Sequence, residues 1–582
     1  MGGSLEPSKI KVSDFVIDFL YKKGIKQIYT VSGGGCMHLV DSVGKSDMDY
    51  LCTHHEQAAS MAAEAHSRLS GHSAVLVTTG PGGTNTLTGL LGNWLDSIPV
   101  FYISGQVPTN QLSRGTGCRQ IGDQEFDIVS VVKGMTKYSV MVEDKNDILY
   151  HLEKAFQCSI SNRPGPVWVD IPLNIQGSYI DEKDLRKYTP PQQEPQVFDV
   201  EKIKHKILSA KKPVVVVGSG IRRSNAVEKL RNFLESNRLP VMTGPHSGID
   251  IVNDDYENYL GRFGVLGQVT SNKLIQEADL ILCIGSRLNV KMTGYDHKAF
   301  APNAYKVIVD IDENEMNKFN IIANDKIKCD ALSFLDQMGD EKITGDIDEW
   351  LEYTRKFRTR EKLVLDKHRN KKDYVSSYCF VESLCRATPE DCPIVTSDGT
   401  AHVVTLKTAK LKGNQRLFTN VGCASMGYGL PAAIGACNAI NRKQVVCIEG
   451  DGSIQMNIQE LQTLVHHEMP IKLFVINNDG YLSIRLTQDS FFDSRYVAID
   501  ESSGVSFPDM EKLAKAYGIK YFSIRKNKDI DFTISQVMSY DNEPVICEIF
   551  TDPQEKHEPK VMAQVNSDGS FKPGKLESIT WG

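Results

Sequence analysis

The chain has 582 residues, too many for a single hydrophobic core, and this length indicates three or four domains. Its 41% hydrophobic and 24% charged residues are typical of globular proteins, and a net charge of −7 argues against nucleic-acid or membrane-surface partners. The 13 cysteines are scattered without a Cys-x-x-Cys pair, and neither a signal peptide nor a transmembrane stretch is predicted. We therefore expect a cytoplasmic protein with reduced thiols.

Strand and helix signals alternate from the start of the chain. Short apolar strands that alternate with helices are typical of a parallel sheet covered on both faces. A segment rich in Pro and Gln at residues 190–195 predicts an extended linker after this first block. The elements predicted before the linker are helices at 13–20 and 56–69 and strands at 27–31, 74–78 and 167–171.

The same alternation returns in two further blocks, separated by a charged helical stretch at 340–366. We predict an α/β protein with three doubly wound parallel-sheet domains at residues 8–188, 196–340 and 370–555, followed by a C-terminal arm at 556–582. The strands predicted in the second and third blocks lie at 213–217, 280–284, 307–310, 393–396, 444–448, 471–476 and 544–550.

The most informative motif is Gly450-Asp451-Gly452-Ser453, between the predicted strand at 444–448 and a predicted helix at 454–467. Glycines allow the backbone to approach a ligand closely, and a helix start presents free N–H groups. Asp451 offers a carboxylate, and Asn478 offers an amide oxygen at the end of the next strand. Because neighbouring parallel strands end at one sheet edge, these oxygens predict a magnesium site beside bound phosphate.

This arrangement resembles the diphosphate–magnesium motif of thiamine-diphosphate enzymes. The segment Met426-Gly427-Tyr428-Gly429-Leu430-Pro431 is similar to the one that precedes this motif in the acetolactate synthase family, and the resemblance covers about residues 8–550. It implies pyrimidine-binding, central and diphosphate-binding domains, with thiamine diphosphate and Mg²⁺ as cofactors. The implied metal ligands are Asp451, Asn478 and Gly480, and the implied cofactor contacts include Gly450, Gly452, Ser453 and Tyr481.

Three further residues of the third block match the family. Met426 corresponds to a methionine that wedges under the thiazolium ring, although an ordinary core methionine is the structural alternative. Asp398 and His402 match the loop on the diphosphate side of the cofactor. Residues 400 and 401, which lie between them, do not match.

The other half of the predicted site lies in the first block. Thiamine diphosphate requires a sheltered carboxyl group that protonates N1′ of its aminopyrimidine ring. Glu56, within a His-His-Glu-Gln segment, matches the family's catalytic glutamate, and the turn with Gly82 and Asn85 matches the one near the pyrimidine. Gly34 and Gln124 match a glycine turn beside the reacting carbon and a glutamine that contacts intermediates; a plain turn glycine and a solvated glutamine are the alternatives.

The resemblance also implies an assembly. In this family the cofactor bridges the first block of one subunit and the third block of another, so we expect a homodimer or homotetramer with active sites at subunit interfaces. In the central domain, the glycine turn at residues 218–220 and the acidic segment at residues 310–312 are compatible with a nucleotide, and family analogy makes FAD a candidate there.

The sequence departs from the family where the second substrate is selected. Asp123 replaces a phenylalanine, Val290-Lys291 replaces an Asp-Arg pair, and Thr487 stands near the place of a tryptophan. Lysine does not reproduce the carboxylate-binding fork of arginine, and Asp and Thr make a pocket more polar. We therefore expect a polar carbonyl acceptor. Arg114 and Arg119 could hold an anionic group, although solvated surface charge is the ordinary interpretation of both.

The expected function is a carboligase that decarboxylates a 2-keto acid, with pyruvate as the expected donor, and transfers the acyl unit to a second carbonyl. Two alternatives remain open. One is a hydrolase that cleaves a cyclic dione, with Asp123 as an additional general base on water. The other is a non-catalytic relative with a structural role, which the intact Glu56, Asp451 and Asn478 argue against.

Overall fold

The computed structural model describes residues 9–192, 196–245, 248–561, 564–565, 568, 571–572 and 574–581. These residues form three six-stranded parallel sheets, one in each third of the chain, and two short antiparallel pairs. The prediction of an α/β protein with three doubly wound domains is confirmed. Residues 193–195 of the predicted linker and parts of the predicted arm lie outside the described residues. The domain boundaries stay predictions.

The N-terminal and C-terminal sheets share one strand order, and the central sheet has another. Numbered along the chain, their strands lie in the order 2-1-3-4-6-5, whereas the central sheet has the order 3-2-1-4-5-6. Across the N-terminal sheet the strands are Asp49–Cys52, Gln27–Thr30, Ser73–Val77, Val100–Gln106, Val167–Pro172 and Tyr138–Met141. Across the central sheet they are Tyr259–Arg262, Val241–Thr243, Pro213–Val217, Leu280–Ile284, Tyr305–Asp310 and Asp325–Lys328. Across the C-terminal sheet they are Leu417–Phe418, Ile394–Thr396, Val445–Gly450, Ile471–Asn477, Val545–Phe550 and Lys520–Ile524.

These orders determine where ligands can bind. Open parallel sheets bind ligands beyond the carboxyl ends of their strands, at the point where the strand order reverses. In the N-terminal sheet that point lies between Gln27–Thr30 and Ser73–Val77, and in the C-terminal sheet between Ile394–Thr396 and Val445–Gly450. In the central sheet it lies between Pro213–Val217 and Leu280–Ile284.

Helices cover both faces of each sheet because successive strand residues point to opposite sides. Val215 and Val217 belong to one buried cluster of the central domain, and Val214 and Val216 belong to the other. The N-terminal helices are Val12–Lys22, Met37–Gly44, Glu56–Ser70, Pro81–Thr84, Leu87–Asp96, Ile128–Val132, Ile148–Ile160 and Leu173–Gln176. The central helices are Val200–Ser209, Gly220–Arg223, Val227–Asn237, Val269–Glu277, Val290–Thr293, Glu313–Asn317 and Ala331–Met338, followed by Asp348–Arg360 and Asp366–Arg369. The C-terminal helices are Ser377–Ala387, Thr400–Thr408, Gly429–Ala439, Leu461–His466, Leu482–Phe491, Met510–Tyr517 and Ile530–Met538.

One helix pair joins the N-terminal and C-terminal domains. Glu56–Ser70 packs along Gly429–Ala439. The first helix is rich in alanine and the second in alanine and glycine, and these small residues let the two backbones approach closely. A Cβ atom placed on Gly435 would lie 2.0 Å from the carbonyl oxygen of Ala62. The buried alanines of both helices form part of one hydrophobic cluster, so the two domains share a core.

Among the helices that the structure describes, none is both long and apolar enough to cross a membrane.

Candidate active site

The C-terminal sheet brings Asp451 and Asn478 together, as the sequence predicted. The strands that precede them, Val445–Gly450 and Ile471–Asn477, are parallel neighbours, so both residues lie at the same sheet edge. The Asp451 carboxylate accepts hydrogen bonds from three backbone N–H groups: those of Gly452 at 2.8 Å, Gly480 at 3.1 Å and Asn478 at 3.2 Å. These bonds hold the carboxylate in one orientation at the switch point of the sheet.

This pair of side chains has the chemistry of a cation site. Burial raises the pKa of Asp451 to about 7, because the carboxylate is removed from water without a charged partner. The Asn478 amide donates through Nδ2 to Thr400 Oγ1 at 3.0 Å, and its buried Oδ1 has no hydrogen-bond partner within the described chain. A hard cation such as Mg²⁺ binds carboxylate and amide oxygens. It would therefore offset the free-energy cost of burying the Asp451 carboxylate and that of leaving Asn478 Oδ1 without a hydrogen bond. The residues present therefore fit the metal.

The glycines of this edge are required by close contacts. Gly480 has a φ of +129°, and a Cβ atom there would meet the carbonyl oxygen of Ile499 at 2.0 Å. A Cβ atom on Gly452 would meet the ring of Tyr481 at 2.3 Å, so this tyrosine packs directly on the glycine turn. Gly450, in contrast, has open space around its Cα, with only the Ser453 Cβ at 3.8 Å from the position of an added Cβ.

Ser453 connects the motif to two other loops. Its hydroxyl group lies 2.7 Å from that of Ser397 and accepts the backbone N–H of Gly427 at 2.9 Å. Gly427 has a φ of +77° and follows Met426, which is half-buried. The predicted position of Met426 beside the motif is thus supported by a direct bond between the two segments. Its contact with a thiazolium ring stays a prediction.

The helix after the motif differs from the prediction of one helix at 454–467. Ile454–Glu460 is a 3₁₀-helix, and an α-helix follows only at Leu461–His466. The backbone of Asn457 leaves the helical region, with a φ of −139°, and its side chain donates to Gly427 O at 2.7 Å. A side-chain-to-backbone bond to another loop thus competes with regular helix formation.

Asp398 and His402 flank the first turn of helix Thr400–Thr408 at the same sheet edge. Burial raises the pKa of Asp398, and burial together with the nearby charge of Lys291 lowers the pKa of His402 to about 4. The positive charge of Lys291, a central-domain residue, acts to lower the pKa of both groups. Thr400, which bonds to Asn478, was not predicted as a site residue, because the match to the family fails at this position. Its place in the first helical turn after Gly399 was the signal that could have identified it.

The N-terminal sheet assembles the second group of predicted residues. Glu56 begins helix Glu56–Ser70, is 8% exposed and accepts a hydrogen bond from Asn85 Nδ2 at 2.9 Å. A Cβ atom on Gly80 would meet the carbonyl oxygen of Gln124 at 2.4 Å, and Gln124 itself has a φ of +59°. Gln124 therefore lies against the glycine turn that carries Asn85.

The two flanking glycine turns lie at the switch point of this sheet. A Cβ atom on Gly33 or Gly35 would clash with Thr78 or Thr79, respectively, and one on Gly82 would meet Thr78 at 2.9 Å. Gly34, between the first two, faces open space, with no atom within 4 Å of an added Cβ. The backbone at Gly34 is thus accessible to a ligand on a fixed turn.

The Glu56 group and the Asp451 group are not bonded directly to each other within the described chain. Within the described residues, no hydrogen bond or ion pair joins Glu56, Asn85 or Gln124 to Asp451 or Asn478. The two domains are connected near the site by other contacts: the backbone N–H of His54 donates to Glu460 at 3.0 Å, and Asn457 Nδ2 lies 3.8 Å from the sulfur of Met61.

The residues proposed to select the acceptor are mostly exposed. Asp123, Lys291 and Thr487 are all at the surface of the chain. Arg119 is also exposed, and Arg114 pairs with Glu143 at 2.6 Å while its side chain is 73% exposed. Such an exposed ion pair contributes little free energy and is easily exchanged for another anion.

A cavity of about 1320 Å³ lies at the switch point of the central sheet and reaches the other two domains. Two close-packed loops form its floor, because a Cβ atom on Gly218 or Gly220 would meet Gly285 at 2.5 or 2.6 Å. Asp310 and Arg223 also line it. Burial, with the nearby Arg68 and Arg416, lowers the pKa of Arg223 to about 9, and its Nε has no partner within the described residues. The cavity is large enough for a dinucleotide and offers positive charge to an anion.

Comparisons with known proteins define the class of this fold and site. Three family models match successive parts of the chain: the N-terminal TPP binding domain of thiamine pyrophosphate enzymes at residues 10–131, their central domain at 200–338 and their C-terminal TPP binding domain at 398–549. The chain is therefore a thiamine-diphosphate-dependent enzyme.

Individual relatives narrow the family. The chain is 31% identical to acetolactate synthase isozyme 2 large subunit of Escherichia coli K12, over 94% of this chain and 97% of that protein. It is 32% identical to the acetolactate synthase large subunit of Cyanidium caldarium, over 91% and 92% of the two chains. The chain belongs to the acetolactate synthase large-subunit family and is a thiamine-diphosphate-dependent carboligase, an enzyme that forms carbon–carbon bonds.

Proposed function

We propose that this enzyme decarboxylates a 2-keto acid, with pyruvate as the expected donor, and transfers the acyl unit to a second, polar carbonyl compound. The observation that carries the proposal is the buried Asp451–Asn478 pair, whose orphaned amide oxygen and desolvated carboxylate suit Mg²⁺ and, with it, a diphosphate. When bound, thiamine diphosphate supplies a carbon nucleophile and accepts the electron pair released by the departing carbon dioxide.

The chain's own residues have separate tasks. Asp451, Asn478 and the carbonyl group of Gly480 would hold Mg²⁺, and the N–H groups around Gly452 would face the diphosphate. Glu56 would hold a proton for N1′ of the pyrimidine. Its bond from Asn85, at 2.9 Å, fixes the direction of the carboxyl group, and its 8% exposure limits access of water.

The active site is proposed to form between two subunits of a homodimer or homotetramer. The support for this assembly is the family resemblance, in which the cofactor bridges the first block of one subunit and the third block of another. A second copy of the chain would supply the missing half, and closed symmetric assembly would create two equivalent sites.

The acceptor is proposed to be polar. Asp123 and Thr487 stand where the family has aromatic residues, and Lys291 stands where it has an arginine. All three side chains are exposed in the single chain. The influence of Lys291 on His402 and Asp398 supports a role near the cofactor. A single ammonium group can attract an anionic or hydroxylated acceptor without the two-point geometry of arginine.

FAD is the candidate ligand of the central cavity. The glycine loops at residues 218–220 and 285–287 would let the backbone approach the ligand closely. The carboxyl group of Asp310 would accept hydrogen bonds from a ribose, and the guanidinium group of Arg223 would supply positive charge. Flavin absorbance that remains with the purified protein through gel filtration would support this assignment. A colourless protein that does not take up added FAD would contradict it.

A cytoplasmic location stays a prediction.

The test is carbon dioxide release from pyruvate by the purified protein, with thiamine diphosphate and Mg²⁺, with and without a panel of carbonyl acceptors. We expect release that increases with a hydroxylated acceptor and a condensed product that contains both carbon skeletons. Glu56→Gln should lower the rate by about 10²–10⁴-fold, because proton transfer at N1′ is lost.

Two results would contradict the proposal. Opening of a cyclic dione without carbon dioxide release would favour the hydrolase alternative. An unchanged rate in Glu56→Gln would remove Glu56 from catalysis. A control substitution, Glu182→Gln, alters an exposed carboxylate of the same domain and should leave the rate unchanged.

A further inference from the structure

We propose that His557 is a positioning residue for the metal ligand Asn478 and acts through the hydroxyl group of Thr400. His557 lies beyond the last strand of the C-terminal sheet, Val545–Phe550, at the start of the predicted C-terminal arm. The inference rests on the proposed magnesium site. It adds to that site a residue distant in the sequence, whose task is to decide which atom of the Asn478 amide faces the metal.

The geometry is a chain of two hydrogen bonds, and the tautomer of His557 that carries its proton on Nδ1 gives this chain a single direction. Asn478 Nδ2 can only donate, so Thr400 Oγ1 is its acceptor at 3.0 Å. The Thr400 hydroxyl proton must then point elsewhere, and His557 Nε2 lies 3.1 Å away. With Nε2 as the acceptor, the hydroxyl oxygen presents its lone pair to the amide nitrogen. Asn478 Oδ1 is therefore turned the other way and carries no protein hydrogen bond.

Loss of this chain would free the amide to rotate. Without an acceptor at position 557, the Thr400 hydroxyl can turn and donate its proton to the amide oxygen of Asn478. The amide would then place its NH₂ group toward the cation, which repels it and offers no lone pair. Partners one step removed from a metal commonly orient its ligands in this way, and their loss costs about 10–100-fold in metal affinity or activity.

His557 meets the conditions for a permanent acceptor. It is 8% exposed, and burial with the nearby charges of Lys407 and Lys560 lowers the pKa of its imidazole to about 3. The ring is therefore neutral at every pH at which the protein is used, and one of its nitrogens always has a free lone pair.

The segment around His557 is fixed independently of any metal. The backbone N–H of Glu558 donates to the Tyr378 hydroxyl group at 2.8 Å, and Lys407 Nζ donates to Pro559 O at 2.5 Å. Upstream, Arg485 donates to Pro553 O at 2.6 Å. These bonds come from three helices of the C-terminal domain. The imidazole is thus held in place before the metal binds, as a positioning group must be.

The experiment measures the Mg²⁺ concentration that half-saturates thiamine-diphosphate binding, by isothermal titration calorimetry on the full-length assembled protein. Thr400→Val keeps the shape of the side chain and removes the hydroxyl group, and His557→Leu removes the acceptor. We expect each to raise the half-saturating Mg²⁺ concentration by about 10-fold or more. Thr400→Ser and His557→Gln, which keep the hydroxyl group and an acceptor, should stay within about threefold of the wild type.

Two further variants separate positioning from packing. The double variant Thr400→Val/His557→Leu should equal Thr400→Val alone, because the two residues act through one chain of bonds. His151→Leu removes a partly buried histidine that bonds to Tyr138 at 2.7 Å in the N-terminal domain, and it should leave the Mg²⁺ requirement unchanged. Thermal unfolding without ligands would show whether each variant is folded.

The outcomes distinguish this inference from the site on which it rests. If thiamine diphosphate binds the wild type without any Mg²⁺ requirement, the metal site itself is wrong. If the wild type needs Mg²⁺ but Thr400→Val and His557→Leu need no more of it, the metal site stands and the positioning role is overturned. Additive effects in the double variant, or failure of His557→Gln to restore binding, would also overturn it.

Discussion

The contact between helices Glu56–Ser70 and Gly429–Ala439 leads to a quantitative prediction for Gly435→Ala. An added Cβ atom would lie 2.0, 2.6 and 2.8 Å from the carbonyl oxygen, carbonyl carbon and Cα of Ala62, whereas ordinary contacts begin at 3.4 Å. All three atoms belong to the backbone of a buried helix, so no side chain can rotate away. The helices have to separate by more than 1 Å, as the difference between 3.4 and 2.0 Å indicates.

The cost follows from two opposing effects. Overpacking a core costs about 1–3 kcal/mol, and a rigid backbone neighbour favours the upper end. Alanine in place of glycine inside a helix stabilises the folded state by about 1 kcal/mol. The net destabilisation is about 2 kcal/mol, which should lower the melting temperature by about 4–8 °C for a cooperative unit of 150–250 residues.

Calorimetry of the variant, compared with Gly44→Ala, tests this reasoning. Gly44 ends helix Met37–Gly44 and has no atom within 4 Å of an added Cβ, so alanine there should be neutral or slightly stabilising. A melting temperature of Gly435→Ala equal to that of the wild type or of Gly44→Ala would refute the close approach of the two helices.

Two other predictions concern pH and the metal site. Burial raises the pKa of Asp170 to about 7, above its unfolded value of about 3.9, so the charged carboxylate destabilises the fold increasingly from about pH 4 to pH 7. The gain in the free energy of unfolding caused by Asp170→Asn should thus be larger at pH 8 than at pH 4.5, by about 3 kcal/mol in urea titrations; a difference independent of pH would contradict it. Gly480→Ala would place a Cβ atom 2.0 Å from the carbonyl oxygen of Ile499, at a backbone φ of +129°. The resulting shift would disturb the backbone N–H of residue 480, which donates to Asp451. Titration in the presence of Mg²⁺ should therefore show an affinity for thiamine diphosphate at least about 10-fold weaker than that of the wild type. Gly504→Ala, also at positive φ but in open space, serves as its control, and equal effects of the two would show that backbone strain alone is responsible.

Several elements could be predicted from the sequence because their signals are local. Apolar runs such as the one at 213–217 become buried strands wherever they occur, and the glycines of the Gly450–Ser453 motif place Asp451 at the end of one of them. The short strands at the sheet edges, such as Asp49–Cys52 and Lys520–Ile524, were not predicted, because half-exposed residues lack a continuous apolar run. The buried strand Val100–Gln106 was missed although its apolar signal was present.

The chemistry of the site was also largely a property of the sequence. Asp451 and Asn478 follow neighbouring strands, and parallel pairing alone brings such residues together. Glu56 and Asn85 could both be named from their segments, and the structure adds the hydrogen bond between them. The kink at Asn457 could not be predicted, since it depends on a bond to Gly427 O, in a loop 30 residues away in the sequence.

The sequence by itself therefore determined the three α/β domains and the family, and it predicted the residues proposed to bind the cofactor, because strand periodicity and glycine-rich turns act over a few residues. Only the tertiary structure decided which distant groups support them. The helix contact between the N-terminal and C-terminal domains, the cavity of the central domain and the path from His557 through Thr400 to Asn478 all depend on strand order and domain packing. Residues 157 positions apart in the chain, such as Thr400 and His557, share no local pattern, and only the folded chain brings their polar atoms to 3.1 Å.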